Sequence, residues 1–312
     1  MNNLIGVDIG GTNVDIGVVS EDYKVLEYTK FKTNKASVSA MLGDICNTII
    51  PLAKQYGCEI IGIGSPGRTV DNRRILRAGN IPYDNTPVAD IIESRTGKRV
   101  YLDNDASCAL YGEKFAGAGR DVSNMIVITI GTGIGGGIMI DRKTYHGTNN
   151  RAGELGHFIM DINGRACSCG LHGCFEQYAS VKAFVILARK AAVENKGSLL
   201  FEMAQGKPEN IGGRLPFRAM YLGCEISKKV IDEYIYYLAC GINSLAKIFQ
   251  PDLFVLTGGL INEGSIITDL LSPRLLEGVN VKISPLNGKA GLIGAALIKK
   301  ERESYCLSCE KV

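Results

Sequence analysis

Short apolar runs alternate with amphipathic stretches along the chain, and glycine-rich turns punctuate them. Residues 4–8 are an apolar run ending at a carboxylate; Gly10-Gly11-Thr12 and a second strand pattern over 14–19 follow, which together predict a β-hairpin. The same grammar returns at 125–130, Gly131-Thr132-Gly133 and 134–140. Aligning Gly10 with Gly131 gives an offset of 121 residues, far beyond a solenoid period, so a duplicated α/β unit is predicted. Between the hairpins, helical spacing covers 37–56, 88–96 and 106–116, and strand patterns cover 60–63, leading into Gly64-Ser65-Pro66-Gly67, and 100–102. Gly117-Ala118-Gly119 interrupts the pattern and reads as the interdomain boundary and hinge. The second half predicts long helices over 180–194 and 228–249 and a strand over 253–256 ending in Thr257-Gly258-Gly259. It also predicts a loop over 206–213, a terminal helix over 291–300 and a frayed tail from Glu301.

Strands alternating with helices make this an α/β chain, and 312 residues suffice for two domains with their own cores. The net charge is +3 with no polybasic cluster, which argues against nucleic acid as a partner. The longest nearly uncharged stretch, 125–140, has 16 residues and five glycines. A spanning helix needs about 20 apolar residues, so no membrane span is expected. The start shows no basic region with a sustained apolar run, so no signal peptide is expected, and the cytoplasm is the expected compartment. Two counts change the picture: 38 glycines and 10 cysteines.

Gly131-Thr-Gly133-Ile-Gly-Gly136 fits the dinucleotide fingerprint literally, but that fingerprint requires a helix next, and 134–140 reads as a strand. Such a hairpin turn can still hold phosphate, because glycines let backbone N–H groups converge on oxygen and Thr132 adds a hydroxyl. Three such turns follow apolar strands, at Gly10-Gly11-Thr12, at Gly131 to Gly133 and at Gly258-Gly259, where α/β sheets bind ligands. Asp8 beside the first turn would repel phosphate unless a cation intervened, so its natural role is to hold Mg²⁺ through water.

His157 and Cys167-Ser-Cys169-Gly-Leu-His-Gly-Cys174 place an imidazole and three thiols within 18 residues. Three Cys and one His suit a closed, structural Zn²⁺ site. His172 rivals His157 as fourth ligand, although its position inside the loop leaves it little slack. The other cysteines, 46, 58, 108, 224, 240, 306 and 309, read as core or tail residues, and Cys306-Leu-Ser-Cys309 is assigned no function. In Asp103-Asn104-Asp105, at a strand-to-helix junction, the side chains suit helix capping. A carboxylate there also suits a general base that takes a proton from a substrate hydroxyl attacking a γ-phosphate. Glu154 and Glu176, held near each other by the metal, suit hydrogen bonds from sugar hydroxyls, and His157 has a second ring nitrogen for the same purpose.

Asp8-x-Gly-Gly-Thr12, Gly131-Thr-Gly133, Glu154-x-Gly-His157 with Cys167-x-Cys169-Gly-x-x-Gly-Cys174-x-Glu176, and Thr257-Gly-Gly259 resemble the ROK family of sugar kinases and repressors over nearly the whole chain. The resemblance implies two actin-like, ribonuclease-H-like domains with a nucleotide cleft between them. It implies a small domain over 1–118, joined by a C-terminal helix over 291–312, and a large one over 119–290 with a zinc loop at 157–176. ATP and Mg²⁺ fall to Asp8, Gly10, Gly11, Thr12, Asn13, Gly131, Thr132, Gly133, Gly258 and Gly259. Zinc falls to His157, Cys167, Cys169 and Cys174. Asp105 is the implied base, and Gly67, Asn80, Asn104, Glu154, His157 and Glu176 are implied sugar contacts. The implied function is an ATP-dependent hexose kinase acting on a C6 hydroxyl, glucose foremost, in a homodimer. Arg68 stands where glucokinase-type loops carry a second proline, and Tyr83 near a usual aromatic, so an N-acylmannosamine, allose or fructose kinase is the alternative. A sugar-responsive repressor would need a DNA-binding module, for which no room is expected before the strand at Leu4.

Overall fold

The computed structural model describes residues 3–79, 81–260 and 265–309. Strands β1 (Leu4–Ile9), β2 (Asn13–Val19) and β3 (Val25–Lys32) come first, then α1 (Val38–Tyr56), β4 (Ile60–Ser65), β5 (Thr69–Val70) and β6 (Arg74–Ile75). Helix α2 (Val88–Thr96), β7 (Arg99–Asn104) and α3 (Asp105–Phe115) complete the first half. The second half opens with β8 (Met125–Ile130), β9 (Ile134–Ile140) and β10 (Lys143–Thr144). Helices α4 (Glu176–Ala179), α5 (Val181–Glu194), α6 (Leu199–Met203), α7 (Leu215–Tyr221) and α8 (Glu225–Phe249) follow. The chain ends with β11 (Leu253–Thr257), α9 (Ser265–Leu271), β12 (Val281–Ile283), α10 (Ala290–Ala296) and α11 (Ile298–Cys309).

The duplication in the glycine turns is visible in the sheets. One has the order β3-β2-β1-β4-β7 and the other β10-β9-β8-β11-β12. In the first, β1 is antiparallel to β2 and parallel to β4, which is parallel to β7. In the second, β11 runs parallel to both β8 and β12. The chain divides into two compact units: unit 1 holds residues 1–123, 137–153 and 284–312, and unit 2 holds 124–136 and 154–283. Among the described residues no helix is long and apolar enough to cross a membrane.

Unit 1 buries Ile5, Val7 and Ile9 of β1 and Ile61 and Ile63 of β4 against Met41, Leu42, Ile45 and Ile49 of α1. Each such side chain contributes about 1.5–3 kcal/mol. Helix α1 is fixed at its start by Ser37, whose hydroxyl accepts from the Ala40 amide at 3.0 Å, and at its end by Gly57 with φ 66°. The C-terminal segment joins this unit for a steric reason. Helix α10 reads Ala-Gly-Leu-Ile-Gly-Ala-Ala, so its backbone lies directly on glycines of β1, β4 and α3. A Cβ on Gly6 would strike the Leu292 carbonyl, one on Gly62 the Ala295 carbonyl, and one on Gly112 the Ala290 carbonyl.

One expectation for this unit needs correction. The single terminal helix over 291–300 is two helices that meet at Leu297, and the tail from Glu301 is not frayed: α11 continues to Cys309. Glu301 is 1% exposed; its Oε2 lies 2.5 Å from Lys114 Nζ and its Oε1 accepts the Thr144 hydroxyl at 2.6 Å. A buried carboxylate requires such partners, and these lie 187 and 157 residues away, beyond any local pattern. Gly117 to Gly119 closes the end of α3: Gly119 N–H donates to the Glu113 carbonyl at 2.9 Å and Ala118 N–H to its Oε2 at 2.9 Å. Unit 1 runs on to Ser123.

In unit 2, Phe184 of α5 packs against Phe217 and Tyr234 with ring centroids 5.5 and 4.7 Å apart. Helix α8 buries Val230, Ile231, Tyr234, Ile235, Leu238, Ile242 and Leu245, the stripe that its 3.6-residue period predicts. Cys46, Cys58, Cys108 and Cys224 are buried as expected of packing residues, whereas Cys240 is half-buried. The side chains of Cys306 and Cys309 lie outside the described residues.

Candidate functional site

In unit 1 the first glycine turn is closed by Gly10 N–H donating to the Asn13 carbonyl at 2.8 Å. Thr33, just past β3, holds it from the side: its hydroxyl donates to the Gly10 carbonyl at 2.6 Å and its N–H to the Thr12 carbonyl at 3.0 Å. Gly11 and Asn13 are half-buried and Thr12 is exposed. Asp8 stands opposite Asp15 across β1 and β2, and Asp15 stands opposite Lys30 on β3, whose Nζ lies 3.0 Å away. Tyr28 donates its hydroxyl to Asp15. Burial, then the negative charges of Asp105 and Asp15, push the Asp8 carboxyl up to about 7, and the positive charge of Lys30 pulls the other way. A divalent cation would offset that repulsion, so these residues fit Mg²⁺. A Cβ on Gly291, at the start of α10, would strike the same carboxyl.

At the β7–α3 junction three neighbours divide the work. Asp103, 6% exposed, accepts the Tyr111 hydroxyl at 2.7 Å and the Asn104 amide at 2.7 Å, so it is engaged inside the unit. Asn104 caps α3, accepting from the Ala106 amide at 2.9 Å, and its Nδ2 reaches the Gly67 carbonyl at 3.4 Å. Asp105 is the first residue of α3, half-buried, with Oδ1 2.9 Å from the Ala106 amide. Gly67 has φ 107°, and a Cβ there would meet the Arg77 carbonyl, so the loop is pinned to the segment after β6. Arg68 N–H donates to Arg77 O at 3.2 Å. Tyr83 is buried, its hydroxyl 3.0 Å from Ser65 Oγ; burial pushes the phenol up to about 12. Asn80, an expected sugar contact, lies outside the described residues.

In unit 2 the second turn is closed by Gly131 N–H donating to the Gly133 carbonyl at 2.9 Å, with Thr132 exposed. Its supports come from after the cysteine loop. Glu176 Oε2 accepts the Ile134 N–H at 2.9 Å, and Val181 N–H donates to the Gly131 carbonyl at 2.9 Å. Gly258 has φ 121°, and a Cβ on it would strike the Ile130 carbonyl; Gly259 has open space around it.

The four proposed zinc ligands come together. Ligand atoms of His157, Cys167, Cys169 and Cys174 all lie within 4.8 Å of one another. His157 Nδ1 is 3.5 Å from Cys167 Sγ, and Cys169 Sγ is 3.6 Å from Cys174 Sγ. A tetrahedral site with metal–sulfur distances of about 2.3 Å places sulfurs about 3.8 Å apart, so the cluster fits Zn²⁺. Burial lifts the Cys167 thiol, but hydrogen bonds from the Cys169 backbone and from Cys169, Cys174 and Gln177 side chains outweigh it and bring it down to about 7. Burial and the neighbouring thiols push Cys174 up to about 12. His172 is exposed and bridges Ala166 through the backbone, outside the ligand set. Glu154 is exposed and begins the 3-10 turn Leu155–His157. Sequence reading missed Thr33, Asp15 and Lys30; the cross-strand register that joins them needs β3, whose only signal is the alternation Val-Leu-Glu-Tyr-Thr-Lys-Phe-Lys.

Two five-stranded sheets with matching strand orders and a glycine turn after the first strand of each define the actin-like, ribonuclease-H-like class. Within it, the chain belongs to the ROK family, whose model matches residues 4–302. It is 34% identical to a glucokinase of Thermotoga maritima over 310 residues, 96% of this chain and 98% of the relative. It is 34% identical to a glucokinase of Streptomyces coelicolor over 313 residues, again 96% and 98%. The crystal structure of a ROK family glucokinase from Streptomyces griseus in complex with glucose and AMPPNP matches with a TM-score of 0.86 and 35% identity, covering 95% of this chain and 98% of that one.

Proposed function

We propose that this chain is an ATP-dependent hexose kinase that transfers the γ-phosphate of ATP to the C6 hydroxyl of glucose. The observation that carries the reading is Asp105 at the start of α3, beside the electrostatically coupled Asp8, in a chain similar to a glucokinase solved with glucose and AMPPNP. Asp103 is buried and accepts the Tyr111 hydroxyl and the Asn104 amide, whereas Asp105, half-buried at the first position of α3, takes the part of base. Its carboxylate takes the proton of the C6 hydroxyl as that oxygen bonds to the γ-phosphorus, the bond from phosphorus to the β,γ-bridging oxygen breaks, and ADP leaves. The protonated Asp105 then returns its proton to water.

The glycine turns 10–13 and 131–133, with Gly258 and Gly259, present backbone amides to the phosphates, and Thr12 and Thr132 add hydroxyls. Asp8 would hold Mg²⁺, which would supply charge neutralisation at the phosphates. Gly67, Asn80, Asn104, Glu154, His157 and Glu176 orient the sugar by hydrogen bonds. Zn²⁺ at His157, Cys167, Cys169 and Cys174 is structural, because the protein supplies all four ligands. The small domain over 1–118 with the C-terminal helix 291–312 and the large domain over 119–290 are the two lobes of this kinase reading, and the family resemblance supports a cytoplasmic homodimer. Arg68 after Gly67 favours an N-acylmannosamine as the second reading for the sugar. Measuring ADP release with glucose, mannose, fructose, allose, N-acetylglucosamine and N-acetylmannosamine tests both: glucose should give the highest kcat/KM, and preference for N-acetylmannosamine overturns the glucose assignment.

A further inference from the structure

The second glycine turn is gripped by the two chain segments that carry the metal ligands. On one side, the segment leading to His157 lies beneath the first residues of β9: a Cβ on Gly156 would strike the Ile134 carbonyl, and one on Gly136 would enter the Leu155 side chain. On the other, Glu176, two residues after Cys174, accepts the Ile134 N–H at 2.9 Å, and its carboxyl occupies the space that a Cβ on Gly133 would need. The two segments are tied together apart from any metal. Phe175 N–H donates to the Phe158 carbonyl at 3.0 Å, Ile159 bridges Cys174, and the Phe158 and Phe175 rings stack at 5.1 Å.

Glycine turns are adaptable, so a turn that must present amides to phosphate needs outside restraint. The Ile134 N–H is the first donor after the turn, and Glu176 Oε2 is the acceptor that holds it at 2.9 Å. We infer that Glu176 is a positioning residue for the nucleotide turn, so that the Cys/His loop governs nucleotide binding as well as sugar binding. This rests on the kinase reading of the turn, and it gives Glu176 a task beyond contact with sugar hydroxyls.

The test is ADP binding, measured by calorimetry without sugar on the protein as isolated, for the wild type, E176Q and E176D. Gln keeps an acceptor at the same reach and drops the charge; Asp keeps the charge and withdraws the acceptor by one methylene. The expected result is ADP binding near wild type in E176Q and weakened about tenfold in E176D, the loss that about 1.4 kcal/mol produces. E176A, which removes the acceptor altogether, should show the same weakening and stands in if E176D does not fold. ADP binding unchanged in E176D and E176A, with a raised KM for glucose alone, overturns the inference and leaves the kinase reading standing. Equal weakening in E176Q and E176D also overturns it, since charge and not reach would then matter. A wild type that binds no ADP overturns the kinase reading and this inference together.

Discussion

In unit 1 the turn over Gly10 to Thr12 is steadied by Thr33, which reaches it from the end of the next strand pair with one hydroxyl and one amide hydrogen bond. In unit 2 the turn over Gly131 to Gly133 also joins two strands through three residues, yet it closes on Gly133 itself and its supports, Glu176 and Val181, come from beyond the Cys/His loop. The difference teaches that a short glycine turn can be braced from within its own sheet or from a loop outside it. The first brace depends only on the sheet. The second depends on a loop whose shape is set by Gly170 and Gly173, both with positive φ, and by four ligand side chains. A second contrast follows: the candidate base and the coupled carboxylates lie in unit 1, and the Cys/His cluster lies in unit 2.

The largest effect that separates the units should come from Asp105→Asn. Loss of a general base lowers kcat by about 10² to 10⁴-fold, and ADP binding, which draws on the turns, should stay unchanged. A steady-state assay with parallel calorimetry checks both numbers. Next comes Cys174→Ser, which removes one of four ligands: metal content should fall well below one equivalent, and ADP affinity should fall with it about tenfold through the second brace. Thr33→Val is the matching change in unit 1. It removes the 2.6 Å bond to the Gly10 carbonyl at a cost of about 1 kcal/mol, so ADP should bind about fivefold more weakly with metal content intact. If Cys174→Ser leaves ADP binding alone while Thr33→Val weakens it, the two turns are not held in the different ways described.

Much of this was legible in the sequence, and the illegible parts share a cause. The hairpins could be read because their period-2 apolar runs and their turns are contiguous, and the metal cluster because its four ligands fall within 18 residues. Helix α8 could be read from its apolar stripe, although it begins at Glu225, earlier than the expected 228. The bond from Ile134 to Glu176 could not be read, because it spans 42 residues and joins a backbone amide to a side chain already given another role. Glu301 looked like solvated tail for the same reason: its partners, Lys114 and Thr144, are distant in sequence. The bonds from Ala118 and Gly119 to Glu113 near the end of α3 likewise could not be read from composition.

A separate prediction, read as stability and not as ADP affinity, is a pH dependence that Asp8 gives to unit 1. Folding lifts Asp8 from 3.8 to about 7, so between these values the folded chain holds a proton that the unfolded chain has released. The contribution of this group is present below about 4 and is lost as pH rises through 7. Thermal melts of the nucleotide-free protein should therefore show wild type losing stability relative to Asp8→Asn between pH 5 and about pH 8, with Mg²⁺ and ADP narrowing the gap at the higher pH. Parallel curves for the two proteins across that range would remove Asp8 from its place beside Asp105.

The most direct test of the central claim is phosphorus NMR of a reaction containing MgATP and glucose. The account predicts equal amounts of ADP and glucose 6-phosphate from the wild type, and both formed at least about a hundredfold more slowly by Asp105→Asn. ADP formed with inorganic phosphate in place of the sugar phosphate, or the same sugar phosphate made at an undiminished rate by Asp105→Asn, would contradict it.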